Sequence, residues 1–492
     1  RWVSPEDGAW HADTYLPAMF EQDFLGQVVA YGREKGVTVI PFVNSLGHNT
    51  MIPRVLPEVS AKAEDGTPLG IGYCLSNPKT RTFIEGFYRS VIDRYFPGGA
   101  DYFHIQLDEV WPDFPDPDEP TRRADPWCQC ADCRAQAREE NLQDYILWLI
   151  RMLTENGARK VVMWNDQLTR HMDALDRSFV QKLKDAGLAD RLVLHWWWYS
   201  NDALNDKTRV SIGAQLGLPG WVAPMTCYFN WERYSPRLQN IELMMKMAHE
   251  EGAEGAVSYA VHDPGWTDHE MLLASYGWHH DAVPSHQAQL EKWANGRFGG
   301  EADRFLSATG TLQVAAASQA LVQCYYYPYT YVRPNTPFPR AYPGDALAAL
   351  SKIEDALPQL EETAAAAGEA GKGFAVLVSK QLGDEGDRTG VRSLLGEAAR
   401  IEGLTKTFAH LLSVQQAIAD GIDEDLLQRC DKARGLLLDK MAMMEANKPQ
   451  WVVPASLQAL SVLLEFLDQL RGDLAEAREG TRKPEDIRWQ VD

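Results

Sequence analysis

The chain has 492 residues, 45% of them hydrophobic, with 48 basic against 69 acidic residues for a formal net charge of -21. That length exceeds one small core and predicts two or more domains. The acidic balance argues against nucleic acid or an anionic membrane surface as a partner, and no apolar run is long enough to span a bilayer. Seven cysteines are too few for a disulfide scaffold, while sixteen tryptophans are a composition common among sugar-binding proteins, whose indoles stack on pyranose faces.

Residues 1–283 alternate between helical periodicity and short β-branched runs. A helix over 23–35 ends at Gly36 and feeds Val37-Thr38-Val39-Ile40-Pro41-Phe42-Val43-Asn44. A helix over 80–95 precedes Tyr102-Phe103-His104-Ile105-Gln106-Leu107-Asp108-Glu109, and one over 132–156 leads to Val161-Val162-Met163-Trp164-Asn165-Asp166. Three further runs start at Leu192, Trp221 and Gly255. Polar and aromatic residues gather at the C-terminal end of each run, where a (β/α)8 barrel keeps its chemistry. A doubly wound sheet is the competing fold, but no Gly-rich phosphate turn follows any run.

Six strand signals fall short of the eight a closed barrel needs. The first follows a helix, so a TIM-type barrel missing its first βα units is expected, with those units upstream of Arg1. The terminus carries no visible leader, and the compartment is not readable from it. From 284 to 492 the chain is Ala-, Leu-, Glu- and Lys-rich with helical spacing, interrupted by an aromatic, proline-rich stretch from Cys324 to Pro343. Helices are expected over 347–366 and 454–477. This second, helical domain reads as a scaffold or a surface for homo-oligomers, and the tail 479–492 as polar and loose.

Asp108-Glu109 at the end of an apolar run is the strongest single feature. Adjacent carboxylates resist ionising together, so one is expected to hold its proton longer. A solvated acidic pair opening a loop is the plain alternative. The surrounding residues argue against it. His104-Ile105-Gln106-Leu107-Asp108-Glu109 resembles the His-x-Gly-Gly-Asp-Glu strand of glycoside hydrolase family 20, the β-N-acetylhexosaminidases. Val39 to His48 is similar to that family's Pro-Glu-x-Asp-x-Pro-Gly-His strand, followed by Pro57-Glu58. Trp164 and one of Trp196–Trp198 resemble the tryptophans of strands five and six, and Tyr228-Phe229-Asn230 the Tyr-x-Asp of strand seven. The departures are Gln106-Leu107 for Gly-Gly, Asn44 and Asn230 for Asp, and Phe42 for Glu. The Trp-x-Glu of strand eight has only a shifted counterpart in Val261 to Trp266. Family 123 enzymes, which use the same Asp-Glu pair, fit equally well.

The resemblance implies a retaining exo-glycosidase for terminal β-linked N-acetylhexosamine, with the substrate's own acetamide as nucleophile. On that reading Glu109 is the general acid and base, Asp108 steadies the acetamide N–H and the oxazolinium charge, and Tyr228 donates to the acetamide oxygen. Trp164, Trp196 and Trp198 would box the sugar, and His48, Asn230, Asp263 and Trp266 would complete the substrate contacts. His104 reads equally as an inward-facing structural histidine. Two other readings remain: a glycosidase on a sugar without the 2-acetamido group, and a degenerate carbohydrate-binding barrel.

Cys128-Gln129-Cys130-Ala131-Asp132-Cys133 supplies three thiols at zinc-like spacing, but no fourth cysteine is nearby. Asp125, Asp132 or a distant histidine would have to serve, against the plainer reading of a reduced, packed loop. Cys74, Cys227, Cys324 and Cys430 are scattered and read as core thiols. No cofactor or metal is assigned. The Trp196-Trp197-Trp198-Tyr199 run alternates faces along a strand, so two of the four are expected to face the site. Trp111 and Trp127 follow the carboxylates and would line outer subsites or cover the pocket, and a Tyr/Pro loop at 325–331 would lie within reach of the cleft.

Overall fold

The computed structural model describes residues 22–49, 52–110, 114–115, 123–230, 233–260, 267–280, 283–325, 338–447 and 454–491. Its eleven strands are β1 (Ser60–Lys62), β2 (Pro68–Tyr73), β3 (Ala100–His104), β4 (Phe114–Pro115), β5 (Arg123–Ala124), β6 (Ala158–Trp164), β7 (Leu192–Trp197), β8 (Trp221–Ala223), β9 (Phe229–Asn230), β10 (Arg233–Tyr234) and β11 (Gly255–Ala256). Two compact units divide the chain. The first runs to Met225 and takes in Gln239–Tyr259 and Leu273–Val283, and the second comprises Thr226–Leu238, Ala260–Leu272 and Pro284–Asp492.

The first unit is an α/β structure on a curled parallel sheet in the order β3, β6, β7, β8, β11, which is also the chain order. All four pairings are parallel, with Phe103 opposite Val161, Val162 opposite Val193 and Trp196 opposite Val222. The Pro41–Val43 stretch lies on the far side of β3 through a parallel bridge from Phe42 to His104. It is fastened by Val43 N–H to the His104 carbonyl and His104 N–H to the Pro41 carbonyl, both 2.9 Å. All six expected strand runs therefore contribute to one parallel array. Every residue of β7 is buried, as both faces of a central parallel strand require.

The helices between strands start and bury as their sequences dictate. Pro78–Tyr95 has Asn77 as N-cap, accepting from the Lys79 N–H, and proline in its first turn. It buries Thr80, Ile84, Tyr88 and Ile92, one stripe at four-residue spacing. Arg138–Glu155 buries Leu142, Ile146, Leu149 and Leu153 with Tyr145. The helix expected over 132–156 is in fact two, Ala131–Arg134 and Arg138–Glu155. An antiparallel hairpin, β1–β2, precedes the Pro78–Tyr95 helix.

The second unit is helical and includes the short β9–β10 hairpin. Its central helix, Glu385–Ala417, opens on a capping box formed by Asp384 and Asp387 and buries residues on nearly every side. Ala356–Lys380, Glu424–Asn447 and Pro454–Arg478 are the other long helices. The single helix expected over 347–366 is broken between Tyr342–Leu350 and Ala356–Lys380. Asp355 is left-handed at φ 54°, and Pro358 follows in the first turn, the one place a helix accepts a residue without an N–H. The tail also departs from expectation. Ile487 and Val491 are buried in the helical core, and Arg488 grips Asp473 with bonds of 2.7 and 3.0 Å. No helix among the described residues is long and apolar enough to cross a membrane.

Candidate active site

The chain leaves β3 and turns sharply before Asp108 and Glu109. Gln106, Leu107 and Glu109 all adopt left-handed backbone, at φ 54°, 64° and 53°. Side chains disfavour that region by roughly 1–2 kcal/mol per residue, and glycine does not. Gln106 and Leu107 thus hold with strain a conformation that glycine would adopt without it. The turn is held by its surroundings. The Gln106 carbonyl accepts from the Trp164 N–H at 3.0 Å, and Leu107 is fully buried.

A chain of neutral imidazoles fixes the turn from below. His195 Nε2 lies 3.0 Å from the Val257 carbonyl, which can only accept, so that nitrogen carries the proton and Nδ1 accepts. His104 Nε2 must then donate to His195 Nδ1 at 3.2 Å, leaving His104 Nδ1 to accept the Gln106 N–H at 3.0 Å. Burial pushes the His195 pKa down to about 4, and burial with the neighbouring His195 pushes His104 well below its ordinary value. Both rings thus stay neutral and structural at neutral pH. Trp164 stacks on His195 at 4.4 Å between ring centres, and Phe42 packs on His104 at 4.5 Å.

Above the turn, His48 Nε2 reaches both carboxylates, Asp108 Oδ2 at 3.2 Å and Glu109 Oε2 at 2.9 Å. Burial opposes a charge on His48, but the two carboxylates outweigh it and hold the imidazole well above its ordinary pKa. The Asp108 and Glu109 side chains are 16% and 19% exposed. Asp108 Oδ1 is buried with no hydrogen-bond partner, a costly state for a carboxylate oxygen. His48 sits in a loop secured by the Tyr145 hydroxyl to the Ser45 carbonyl at 2.9 Å and by Ser45 Oγ to the Ile105 carbonyl at 2.7 Å. Gly47 is obligatory there, since a Cβ would lie 1.6 Å from the Asp108 carbonyl oxygen.

Asp166, just beyond β6, organises the other side and was not among the residues singled out from sequence. Its Oδ2 accepts the Glu109 N–H at 2.9 Å, and its Oδ1 accepts the Trp197 indole N–H at 2.7 Å. Burial alone would raise the Asp166 pKa, but the bond from His171, the charge of Arg170 and the Trp197 bond hold it below the ordinary value. Arg170 lies 4.0 Å from Glu109 and 4.2 Å over the Trp197 ring. The Val110 N–H donates to Gln167 Oε1 at 2.7 Å, and the Val110 carbonyl accepts the Trp127 indole N–H at 2.8 Å. Asn165-Asp166 at the end of a predicted strand was the available signal for this support.

The expected sugar contacts distribute unevenly. Trp164 is buried in an aromatic cluster with Trp197, Tyr199 and Tyr259. Trp196 is fully buried away from the carboxylates, its indole N–H given to the Pro219 carbonyl at 2.7 Å and its ring against Gly213. Trp197 is the indole turned to Asp166, and the half-buried Trp198 donates to the Ala203 carbonyl and lies beside Arg170. Tyr228 belongs to the second unit, where its hydroxyl donates to Asp268 Oδ2 at 2.7 Å. Asn230 lies in β9 of that unit. Asp263, Trp266, Trp111 and residues 326–331 lie outside the described residues.

Residues 5–244 match the profile of the glycosyl hydrolase family 20 catalytic domain. That segment, just under half of the chain, is similar to the family 20 catalytic domain. A curated relative, "Beta-hexosaminidase subunit A1" of Dictyostelium discoideum, is 34% identical over 90 residues, 17% of this chain and 17% of that protein. The chain thus aligns with under a fifth of the relative's length. Among solved structures, a glycoside hydrolase family 138 enzyme targeting pectin rhamnogalacturonan II matches with a TM-score of 0.48 and 11% identity, over 95% of this chain and 60% of that one. A mutant O-GlcNAc hydrolase of Thermobaculum terrenum matches with a TM-score of 0.33 and 12% identity, over 94% and 96%. The matched segment contains His48, Asp108, Glu109 and Asp166 together.

Proposed function

We propose that the protein is a glycoside hydrolase that removes terminal β-linked N-acetylhexosamine with retention, using the substrate's acetamide as nucleophile. The observation that carries this reading is the state of Asp108. One of its oxygens is bound to His48 and the other is buried without a partner, beside a Glu109 that shares His48 and also lies 4.0 Å from Arg170. An acetamide N–H would satisfy that oxygen. Two adjacent carboxylates sharing one imidazole are also badly arranged for inversion, which needs about 6.5–9.5 Å between them to admit a water. The oxygens of Asp108 and Glu109 that face His48 lie within 4.8 Å of each other.

In the proposed cycle the acetamide oxygen attacks C1 while Glu109 protonates the departing glycosidic oxygen. The C1–O bond to the aglycone breaks and an oxazolinium forms, its N–H held by Asp108. Glu109, now a carboxylate, takes a proton from water as that water opens the ring at C1, restoring the acid. His48 and Asp166 position the pair: His48 binds both carboxylates, and Asp166 fixes the Glu109 backbone.

Turnover of aryl β-N-acetylglucosaminide and β-N-acetylgalactosaminide, measured with and without a thiazoline mimic of the intermediate, tests this. Hydrolysis of at least one substrate, blocked tightly by the thiazoline, is expected. Glycosidase activity indifferent to the thiazoline would favour a sugar without the acetamide. Sugar binding without any turnover would favour a non-catalytic barrel.

A further inference from the structure

We propose that Cys74, Cys128, Cys130 and Cys133 bind one zinc ion in a closed tetrathiolate site that clips the β1–β2 hairpin to the segment returning from the Asp108-Glu109 loop. The fourth ligand that the sequence did not supply locally comes from Cys74, directly after β2 and more than fifty positions upstream of the other three.

The geometry is that of a metal site. The four sulfurs lie within 4.8 Å of one another, with Cys74 Sγ 3.8 Å from Cys130 Sγ and 3.9 Å from Cys133 Sγ. Sulfurs held about 2.3 Å from a central zinc stand about 3.8 Å apart along each edge of a tetrahedron. A disulfide would need about 2.05 Å, and all four cysteines are free. Four thiols packed merely as apolar groups have no reason to converge on a common centre from two distant segments.

The surroundings suit thiolates. The Lys62 N–H points at Cys128 Sγ at 3.4 Å, and the Ser76 hydroxyl lies 3.1 Å from Cys133 Sγ. Donors of this kind steady the negative sulfurs of a metal site. The Gln129 N–H bonds the Lys62 carbonyl at 2.6 Å, and a Cβ on Gly72 would lie 2.2 Å from the Pro126 carbonyl, so hairpin and segment already touch. Cys74, Cys128 and Cys133 are buried. Binding converts four thiols and Zn2+ into a dianionic complex and releases four protons. All-sulfur tetrahedral ligation selects zinc or iron, and four protein ligands leave no open position, so the role is structural.

The proposal is independent of the sugar chemistry, and its test reads metal. The full chain, purified without chelator and analysed by plasma mass spectrometry, should carry one zinc per molecule, released by a mercurial thiol reagent. Cys74→Ser should weaken zinc retention against a competing chelator by at least the ~10- to 100-fold typical of losing an outer partner. Cys430→Ser, in the helical unit, should leave the chelator curve unchanged. If Cys74→Ser does not fold, cobalt exchange into the unaltered protein keeps the test open, since the tetrathiolate-cobalt charge-transfer spectrum is expected. Metal-free protein with four reactive thiols, or iron in place of zinc, would overturn the assignment.

Discussion

His48, Glu109 and His195 carry the predictions that belong to single side chains. Glu109→Gln keeps the shape and removes the acid, so kcat should fall about 10²- to 10⁴-fold on poor leaving groups and far less on activated aryl glycosides. Equal loss on both would remove Glu109 from the acid role. His48 has its pKa raised in the fold. Its stabilisation should therefore be complete below the unfolded value of about 6.5 and vanish as pH rises through the higher folded value. Urea unfolding of His48→Asn against the parent should show a deficit of about 2 kcal/mol near pH 6, shrinking as pH rises through the raised folded value. A constant deficit would mean packing rather than charge. His195 works in the opposite sense. Its folded value of about 4 means that the unfolded chain takes up a proton first as pH falls, so stability should drop between about 6.5 and 4. The cost, on the order of 3 kcal/mol, should be largely absent in His195→Gln.

At the level of elements, the turn after β3 makes a sharper test. Gln106 is half-buried and left-handed, so Gln106→Gly relieves strain while losing little packing. Denaturant titration should find it neutral or stabilised by up to ~1 kcal/mol. Leu107→Gly relieves the same strain but empties a fully buried site, and should lose about 2–5 kcal/mol. Two destabilised variants would mean the strain is illusory. Much of this element was legible in advance. All six strand runs and the carboxylate pair could be read from apolar, β-branched runs ending in polar residues. The supports were not legible. Asp166 acts through a backbone N–H fifty-seven positions away, and no local pattern reports such a contact. The face chosen by Trp197 depends on strand twist and the approach of Gly213 to Trp196, which alternation alone does not set. Cys74 is buried as expected, but its approach to Cys130 and Cys133 was not legible, because those partners lie beyond a helix.

For the molecule as a whole, the helical unit depends on polar contacts that composition hides. Glu397 and Arg400 form a buried bidentate pair, and Glu397 also accepts the Tyr234 N–H. The tail looked loose because 479–492 is polar, yet Arg488 and Arg482 both converge on the buried Asp473. Asp473→Ala should unmoor the tail and lower stability by about 1–3 kcal/mol, discounted from the ~3–5 of a fully buried pair because Arg488 is partly exposed. Protease cleavage after Arg482 and Arg488, slow in the parent, should become fast. Unchanged cleavage would show that Ile487 and Val491 hold the tail alone.

The indole bond from Trp127 to the Val110 carbonyl, with the β4–β5 pairing inside it, closes the excursion that leaves Glu109 and returns at Trp127. A loop fastened at its base can change length cheaply, because closure entropy grows only with the logarithm of the span. The segment between these two residues can therefore vary in length at small cost to the base that holds it. A change of length there leaves Glu109 held by Asp166 and His48, so the proposed acid keeps its position while the loop beyond it varies.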